Sequence, residues 1–134
     1  MNKNYERQLK KGVFEILVLQ LLSKEEKYGY QLISELKDKS DGVFTLKEGT
    51  LYPILYRLED DGLVVSRWSV PSGKEVSRKY YAITEEGRQT LEELKVLWNG
   101  FADKIIGFFV QPSIPRNIDL LERSDRFIYG INKT

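Results

Sequence analysis

The 134-residue chain contains no cysteine and no histidine. These two absences exclude thiol nucleophiles, Ser–His and Cys–His catalytic pairs, disulfides, and metal centres that rely on thiolate or imidazole ligands. An enzyme would then need a paired-carboxylate site or a glycine-rich phosphate loop, and the sequence presents neither in a catalytic arrangement. We therefore expect a protein that is not an enzyme and that uses no metal or cofactor.

The sequence also lacks an excess of charge and a long apolar run. Its 21 lysines and arginines are matched by 20 acidic residues, which leaves a formal net charge of +1, so any nucleic-acid-binding surface must be local. The longest apolar stretch, residues 13–22, is interrupted by Glu15 and Gln20 and is far shorter than the roughly 20 residues that cross a bilayer. Residues 1–11 are polar, unlike a signal peptide. We expect a soluble, cytoplasmic protein with no membrane partner.

Apolar spacing predicts three helices in the first half of the chain. The first is expected to be deeply buried, and the second follows Tyr28. A short extended segment at residues 43–45 separates the second helix from the third, which ends near Gly62. The apolar stripes of the three helices are, in order, Leu9, Val13, Ile16, Leu17 and Leu21; Leu32, Ile33 and Leu36; and Leu51, Ile54, Leu55 and Leu58.

The start of the third helix has two interpretations. Thr45 and Glu48 have the spacing of a capping box, but Pro53 would then lie inside the helix, where proline loses a hydrogen bond and clashes with a preceding carbonyl. A start near Thr50 instead places Pro53 in the first turn, where a missing N–H costs nothing. We favour the second interpretation.

Residues 63–70 and 76–83 are rich in valine and aromatic residues, and the Pro-Ser-Gly-Lys sequence at 71–74 predicts a turn between them. Thr84 is then the expected cap of a long helix. The order of elements predicts a mainly α-helical protein with a small β-hairpin: a winged helix-turn-helix over residues 1–84 and a C-terminal dimerisation helix over 85–110. Two prolines, Pro112 and Pro115, end this helix at the start of a tail of uncertain structure at 111–134.

Three segments in register resemble the PadR-like transcriptional regulators, of the short type with a single C-terminal helix and here an extra tail. They are residues 28–32 (YGYQL), 49–64 (GTLYPILYRLEDDGLV) and 78–87 (RKYYAITEEG). The resemblance implies a dimeric repressor that binds palindromic operator DNA. It also implies that a small aromatic or drug-like molecule releases the DNA in ligand-responsive members.

The first group of candidate DNA contacts lies on the third helix and the turn before it. In a helix-turn-helix, the N-terminal part of this helix enters the major groove. The alternative is that its charged side chains are only solvated surface. The candidates are Lys47, Gly49, Thr50, Tyr52, Pro53 and Arg57.

The hairpin supplies a second group, since residues 67–79 hold four cations and one acid, a net charge of +3, which suits a phosphate backbone. Tyr28 and Tyr30 form a third group, because Gly29 leaves space for a tyrosine hydroxyl to reach a phosphate. The alternatives are a solvated hairpin and tyrosines packed against the first helix. The hairpin candidates are Gly73, Lys74, Arg78, Lys79 and Tyr80.

The long helix carries an apolar seam with heptad spacing, which favours a symmetric dimer over packing within one chain. Trp98 and Phe101 would meet their copies near the two-fold axis, where they either fill the interface or line a slot for a flat aromatic ligand. The seam is Leu91, Leu94, Trp98, Phe101, Ile105 and Phe108. An alternative function is a winged-helix protein–protein interaction module that does not bind DNA.

Overall fold

A computed structural model of the chain describes residues 3–110, so the predicted tail at 111–134 lies outside the described residues. The described residues belong to two compact units, one that ends at Glu92 and one that begins at Glu93. None of the helices in the described part is long and apolar enough to span a membrane. The helices and strands are α1 (Lys3–Lys11), α2 (Val13–Leu22), β1 (Lys27–Tyr28), α3 (Gly29–Lys39), α4 (Glu48–Asp60), β2 (Val64–Trp68), β3 (Lys79–Ile83) and α5 (Glu85–Phe109).

The core of the first unit is formed by the apolar faces of α2, α3 and α4, the inner face of the sheet and the start of α5. The predicted stripe of α4 is buried in full, and Leu32 and Leu36 of α3 are buried with it. Thr84 caps α5 as predicted, because its Oγ1 accepts a hydrogen bond from the Gly87 N–H at 2.9 Å.

The predicted first helix is two helices, because the chain breaks helical structure at Gly12 between α1 and α2. Glycine is a poor helix former, and the charged segment before it has few apolar side chains to bury. Leu9, expected in the core, is 81% exposed, and α1 contributes no buried residue. The prediction of one deeply buried helix is therefore wrong for residues before Gly12.

Helix α4 begins at Glu48, so neither predicted start is correct. Lys47 is the residue before the helix, and its carbonyl accepts hydrogen bonds from the Thr50 N–H at 3.0 Å and the Leu51 N–H at 2.9 Å. Pro53 is an interior helical residue. The carbonyl it leaves unpaired belongs to Gly49, which is exposed to solvent, so water can satisfy that group.

The short strand lies before α3 rather than at residues 43–45. Strand β1 pairs antiparallel with β3, with Lys27 opposite Tyr81 and Tyr28 opposite Tyr80, and the sheet order is β1-β3-β2. Lys27 is buried and forms ion pairs with Glu35 at 2.9 Å and Glu25 at 3.2 Å. Burial lowers the pKa of Lys27, but these two carboxylates more than offset burial and raise it. The sequence prediction missed this buried pairing.

Candidate nucleic-acid interface

The first turns of α4 present a small polar surface to solvent. Lys47, Gly49, Thr50 and Pro53 are all exposed, because Leu51, on the opposite side of the helix, is buried in the core. The helix start also leaves N–H groups that have no partner within the helix. This face can therefore offer a hydroxyl, backbone donors, a cation and an apolar ring to a groove of DNA.

Tyr52 lies apart from this face. A Cβ added at Gly29 would be 2.6 Å from the Tyr52 hydroxyl oxygen and 3.0 Å from its Cζ, so the tyrosine ring packs against the start of α3. The space at Gly29, predicted to be free for a hydroxyl that binds phosphate, is filled by Tyr52. The structure thus makes Tyr52 a packing contact between α3 and α4, with its side chain only partly exposed.

Arg57 is also placed differently from the prediction. Its Nε donates a hydrogen bond to Glu15 Oε1 at 2.8 Å, and its Nη2 pairs with the same oxygen. The guanidinium is therefore paired with a carboxylate of α2, and the Arg57 side chain remains 57% exposed. Glu15 lies 42 positions away in sequence, and no local spacing pattern could have revealed this partner.

The hairpin loop between β2 and β3 forms the wing. Gly73 has φ +61° at its tip, a left-handed conformation that favours glycine, and the Glu75 N–H donates to the Ser72 carbonyl at 3.1 Å. Below the tip, the Arg78 N–H donates to Ser69 Oγ at 2.8 Å. Lys74 is exposed and forms no ion pair with any residue of the described range 3–110. The wing tip therefore presents a cation to solvent.

The outer face of the sheet stacks cations on aromatic rings. The Arg78 guanidinium lies 4.5 Å from the Tyr28 ring centroid, the rings of Tyr28 and Tyr80 are 5.5 Å apart, and Arg67 lies 5.1 Å from Tyr80. Arg67 is also paired with Glu26, whose pKa is lowered by this hydrogen bond. The free positive charge of the wing is thus smaller than its sequence suggests.

The two candidate tyrosines at the start of α3 have different environments. Tyr28 packs against Tyr80 of the sheet, and the Arg78 guanidinium lies over its ring. Tyr30 is exposed and remains available to a ligand such as phosphate.

Lys79 lies on the opposite, inner face of the sheet. Its Nζ is 5.7 Å from the ring centroid of Tyr56, 6.0 Å from that of Trp68 and 5.6 Å from that of Tyr81. Tyr81 is fully buried, and burial raises the pKa of its hydroxyl to about 12. The predicted wing cations Arg78 and Lys79 are therefore brought to different surfaces.

The predicted seam of α5 divides into a buried and an exposed part. Leu91 is only 2% exposed and belongs to the core of the first unit, so its assignment to a dimer interface is wrong. Further along the helix, Phe101 is 62% exposed, Phe108 is 89% exposed and Ile105 is also exposed. Leu94 and Trp98 are partly exposed.

Residues 3–110 contain no cluster of carboxylates that could hold a metal ion.

Comparison with known proteins agrees with this architecture. The family model described as "Transcriptional regulator PadR-like family" matches residues 18–93. Transcriptional regulator Rv3488 of Mycobacterium tuberculosis is 32% identical over 101 residues, which are 75% of this chain and 90% of that protein. The crystal structure of a PadR family regulator from Eggerthella lenta has a TM-score of 0.71 at 34% identity, and the match covers 80% of this chain and 90% of that one.

A further relative is the negative transcriptional regulator PadR of Bacillus subtilis, 31% identical over 81 residues, which are 60% of this chain and 44% of that protein. Its structure in complex with operator DNA has a TM-score of 0.55 at 30% identity, and the match covers 61% of this chain and 46% of that one. These findings confirm the predicted family and the helical fold with a small antiparallel sheet. The chain therefore belongs to the PadR-like family of transcriptional regulators.

Proposed function

We propose that the protein is a cytoplasmic repressor that binds an inverted-repeat operator as a homodimer. As a member of a family of transcriptional regulators it is a DNA-binding regulator and not an enzyme. The observation that carries the proposal is the solvent-exposed start of α4, with Lys47, Gly49, Thr50 and Pro53, in a chain whose wing tip bears the exposed Lys74. The first surface reads a groove, and the second neutralises a phosphate.

Repression is supported by the relative from Bacillus subtilis, which is named a negative regulator and was crystallised with operator DNA. An inverted repeat follows from two-fold symmetry, because two identical recognition helices require two identical half-sites. The alternative, a protein–protein interaction module without DNA binding, is disfavoured by the relative of similar fold that was crystallised with operator DNA.

The dimer is supported by the exposed apolar part of α5. Phe101, Ile105 and Phe108 recur at heptad spacing and are largely exposed in the single chain. Burying them against a second copy would remove a large apolar area from water. The paired helices would also bring two copies of Trp98 and Phe101 close together, which suits a flat aromatic effector.

Effector binding at this position has a direct test in a Trp68→Phe background, which leaves Trp98 as the only tryptophan. Planar aromatic ligands should quench its emission in this background and should lower the DNA affinity of the protein that retains Trp68. Trp98→Ala should remove the response to the ligand and keep the dimer. A dimeric Trp98→Ala variant that still responds would locate the effector elsewhere, and a variant that loses the dimer would assign Trp98 to packing alone.

DNA binding itself is tested at the wing tip, on a duplex selected by the wild-type protein from random DNA. Lys74→Ala should weaken binding and lower the salt dependence of log affinity by about 0.9 for each phosphate that is no longer neutralised. The matched control is Lys24→Ala, which removes another exposed lysine, outside the proposed surface. Equal affinity and equal salt dependence in both variants would contradict a role for the wing tip.

A further inference from the structure

Lys79 has an unusual environment for a cation of a DNA-binding wing. It is only partly exposed, and it forms no ion pair with any side chain of the described segment. Its ammonium instead lies within 6.0 Å of three aromatic ring centroids, the range over which a cation is attracted by a ring face.

The three rings come from different elements. Tyr56 belongs to the recognition helix α4, Trp68 is the last residue of β2, and Tyr81 is on β3. Lys79 is itself opposite Trp68 in the last pair of the hairpin ladder, immediately before the wing loop. The ammonium therefore connects the base of the wing to the recognition helix.

Other contacts between the helix and the strands support the same junction. Ser66 donates a hydrogen bond to Glu59 Oε2 at 2.5 Å, which joins β2 to the end of α4 two positions before Trp68. Tyr81 is fully buried beside it. Lys79 is thus at the outer end of a row of contacts that fix the hairpin against α4, while Lys74 is at the exposed tip.

We propose that Lys79 is a positioning residue, whose ammonium, held by the rings of Tyr56, Trp68 and Tyr81, sets the angle of the wing relative to the recognition helix. This inference rests on the proposed function, because its consequence is for DNA affinity. A wing held in the bound geometry loses less conformational freedom when it meets DNA. Lys79 therefore contributes to affinity without a phosphate contact of its own.

The first test separates positioning from phosphate binding by salt dependence. Lys79→Met keeps much of the aliphatic stem and removes the charge, and it should weaken operator binding about fivefold per subunit, the size of a modest cation–π contribution. The salt dependence should stay at the wild-type value, whereas Lys74→Met, the same substitution at the tip, should lower it. A Lys79→Met protein whose salt dependence falls as in Lys74→Met, or whose affinity is unchanged, would overturn the proposal.

Two further variants test the aromatic partners. Lys79→Arg keeps a cation over the rings and should restore affinity to within about twofold of wild type. Tyr56→Leu should weaken binding by less than Lys79→Met does, because two rings remain around the ammonium. The double variant should be no weaker than Lys79→Met alone, since the second change removes a contact that is already lost. Additive losses in the double variant would contradict the shared interaction.

Hydrogen exchange on the DNA-free protein gives an answer that does not depend on DNA binding. Backbone amides of residues 64–68 and 79–83 should exchange faster in Lys79→Met than in wild type, and Lys74→Met should leave them unchanged. If the wild type selected no DNA sequence, the proposed function would fail, yet faster exchange would still support the junction. Unchanged exchange in Lys79→Met would overturn the junction even if DNA binding were established.

Discussion

Tyr81 is the largest fully buried side chain of the core, and its hydroxyl has no hydrogen-bond partner among the residues that the structure describes. A buried neutral hydroxyl resists ionisation, and burial raises its pKa from the ordinary value of 10 to about 12. The folded protein therefore holds this proton more tightly than the unfolded chain does, which links its stability to alkaline pH.

Tyr81→Phe should change this pH dependence in a defined direction. Between pH 10 and about 12, Tyr81 is ionised in the unfolded chain but not in the folded protein. The folded state is therefore stabilised fully below pH 10, and it loses this stabilisation as the pH rises through the window. Phenylalanine has no proton to lose, and its variant should be about as stable as wild type at pH 7, since no hydrogen bond is removed. Urea unfolding at pH 7 and pH 11 measures the free energy of unfolding of the two proteins. If wild type and Tyr81→Phe lost equal stability between these pH values, the raised pKa of Tyr81 would be contradicted.

Gly87 and Gly12 differ in the space available for a side chain, so alanine substitutions at the two positions can be compared. A Cβ at Gly87 would lie 2.1 Å from the Leu63 carbonyl oxygen and 2.8 Å from Ile83 Cγ1, whereas one at Gly12 would meet nothing within 4 Å. Gly87→Ala should therefore lower the free energy of unfolding by about 2–3 kcal/mol. Gly12, between α1 and α2, has φ −78° and ψ −13°, angles that alanine adopts without strain, so Gly12→Ala should raise the free energy of unfolding by about 0.5–1 kcal/mol. Thermal unfolding would contradict this account if the two variants changed stability alike.

Side-chain environments were the least predictable feature of this chain. The stripe of α4 could be read from spacing because burial repeats with the helical period. The partners of Arg57 and Lys27 could not, because they depend on which residues of other elements fold against them. The close approach of Tyr52 to Gly29 is of the same kind, because it joins a predicted DNA-contact residue to the start of another helix.

Helix α4 shows how local rules are overridden by packing. Proline inside a helix is unfavourable, which favoured a start at Thr50, yet the helix begins two residues earlier. Its four buried apolar residues, with Leu51 and Leu55 fully buried, offset the lost hydrogen bond. The strand at Lys27 was missed for a related reason: two residues give no alternating pattern, and only pairing with β3 defines them.

The dimer proposal can be tested by placing a charge on either side of helix α5. Phe101→Glu places a charge on the exposed apolar seam and should convert the dimer to a folded monomer, because an unpaired buried carboxylate is costly. Val96→Glu makes the same change at an exposed apolar residue on the opposite side of the helix and should leave the dimer intact. Light scattering and far-ultraviolet circular dichroism measure mass and fold. A dimeric Phe101→Glu protein would contradict the seam.

The fold class, the family and the order of the main helices could be predicted from the sequence, because long periodic segments and three motifs in register carry that information. The candidate site could be predicted only in part. Its exposed members on α4 and at the wing tip, Lys47, Thr50 and Lys74, follow from local pattern. The pairing of Arg57 and the aromatic surroundings of Lys79 follow from tertiary contacts, which a local pattern does not show.

The central claim, a dimeric DNA-binding regulator, is tested most directly by changing the spacing of its selected operator. Half-sites for two symmetric recognition helices lie about 10 base pairs apart or a multiple of that distance, so that both are on one side of the duplex. Inserting about five base pairs between the half-sites turns one to the opposite side. Fluorescence anisotropy should then show affinity falling to that of a single half-site, and it should stay low when about ten are inserted, because one dimer holds its two recognition helices at a fixed separation. Equal affinity for all three spacings, or for a scrambled sequence, would contradict the account.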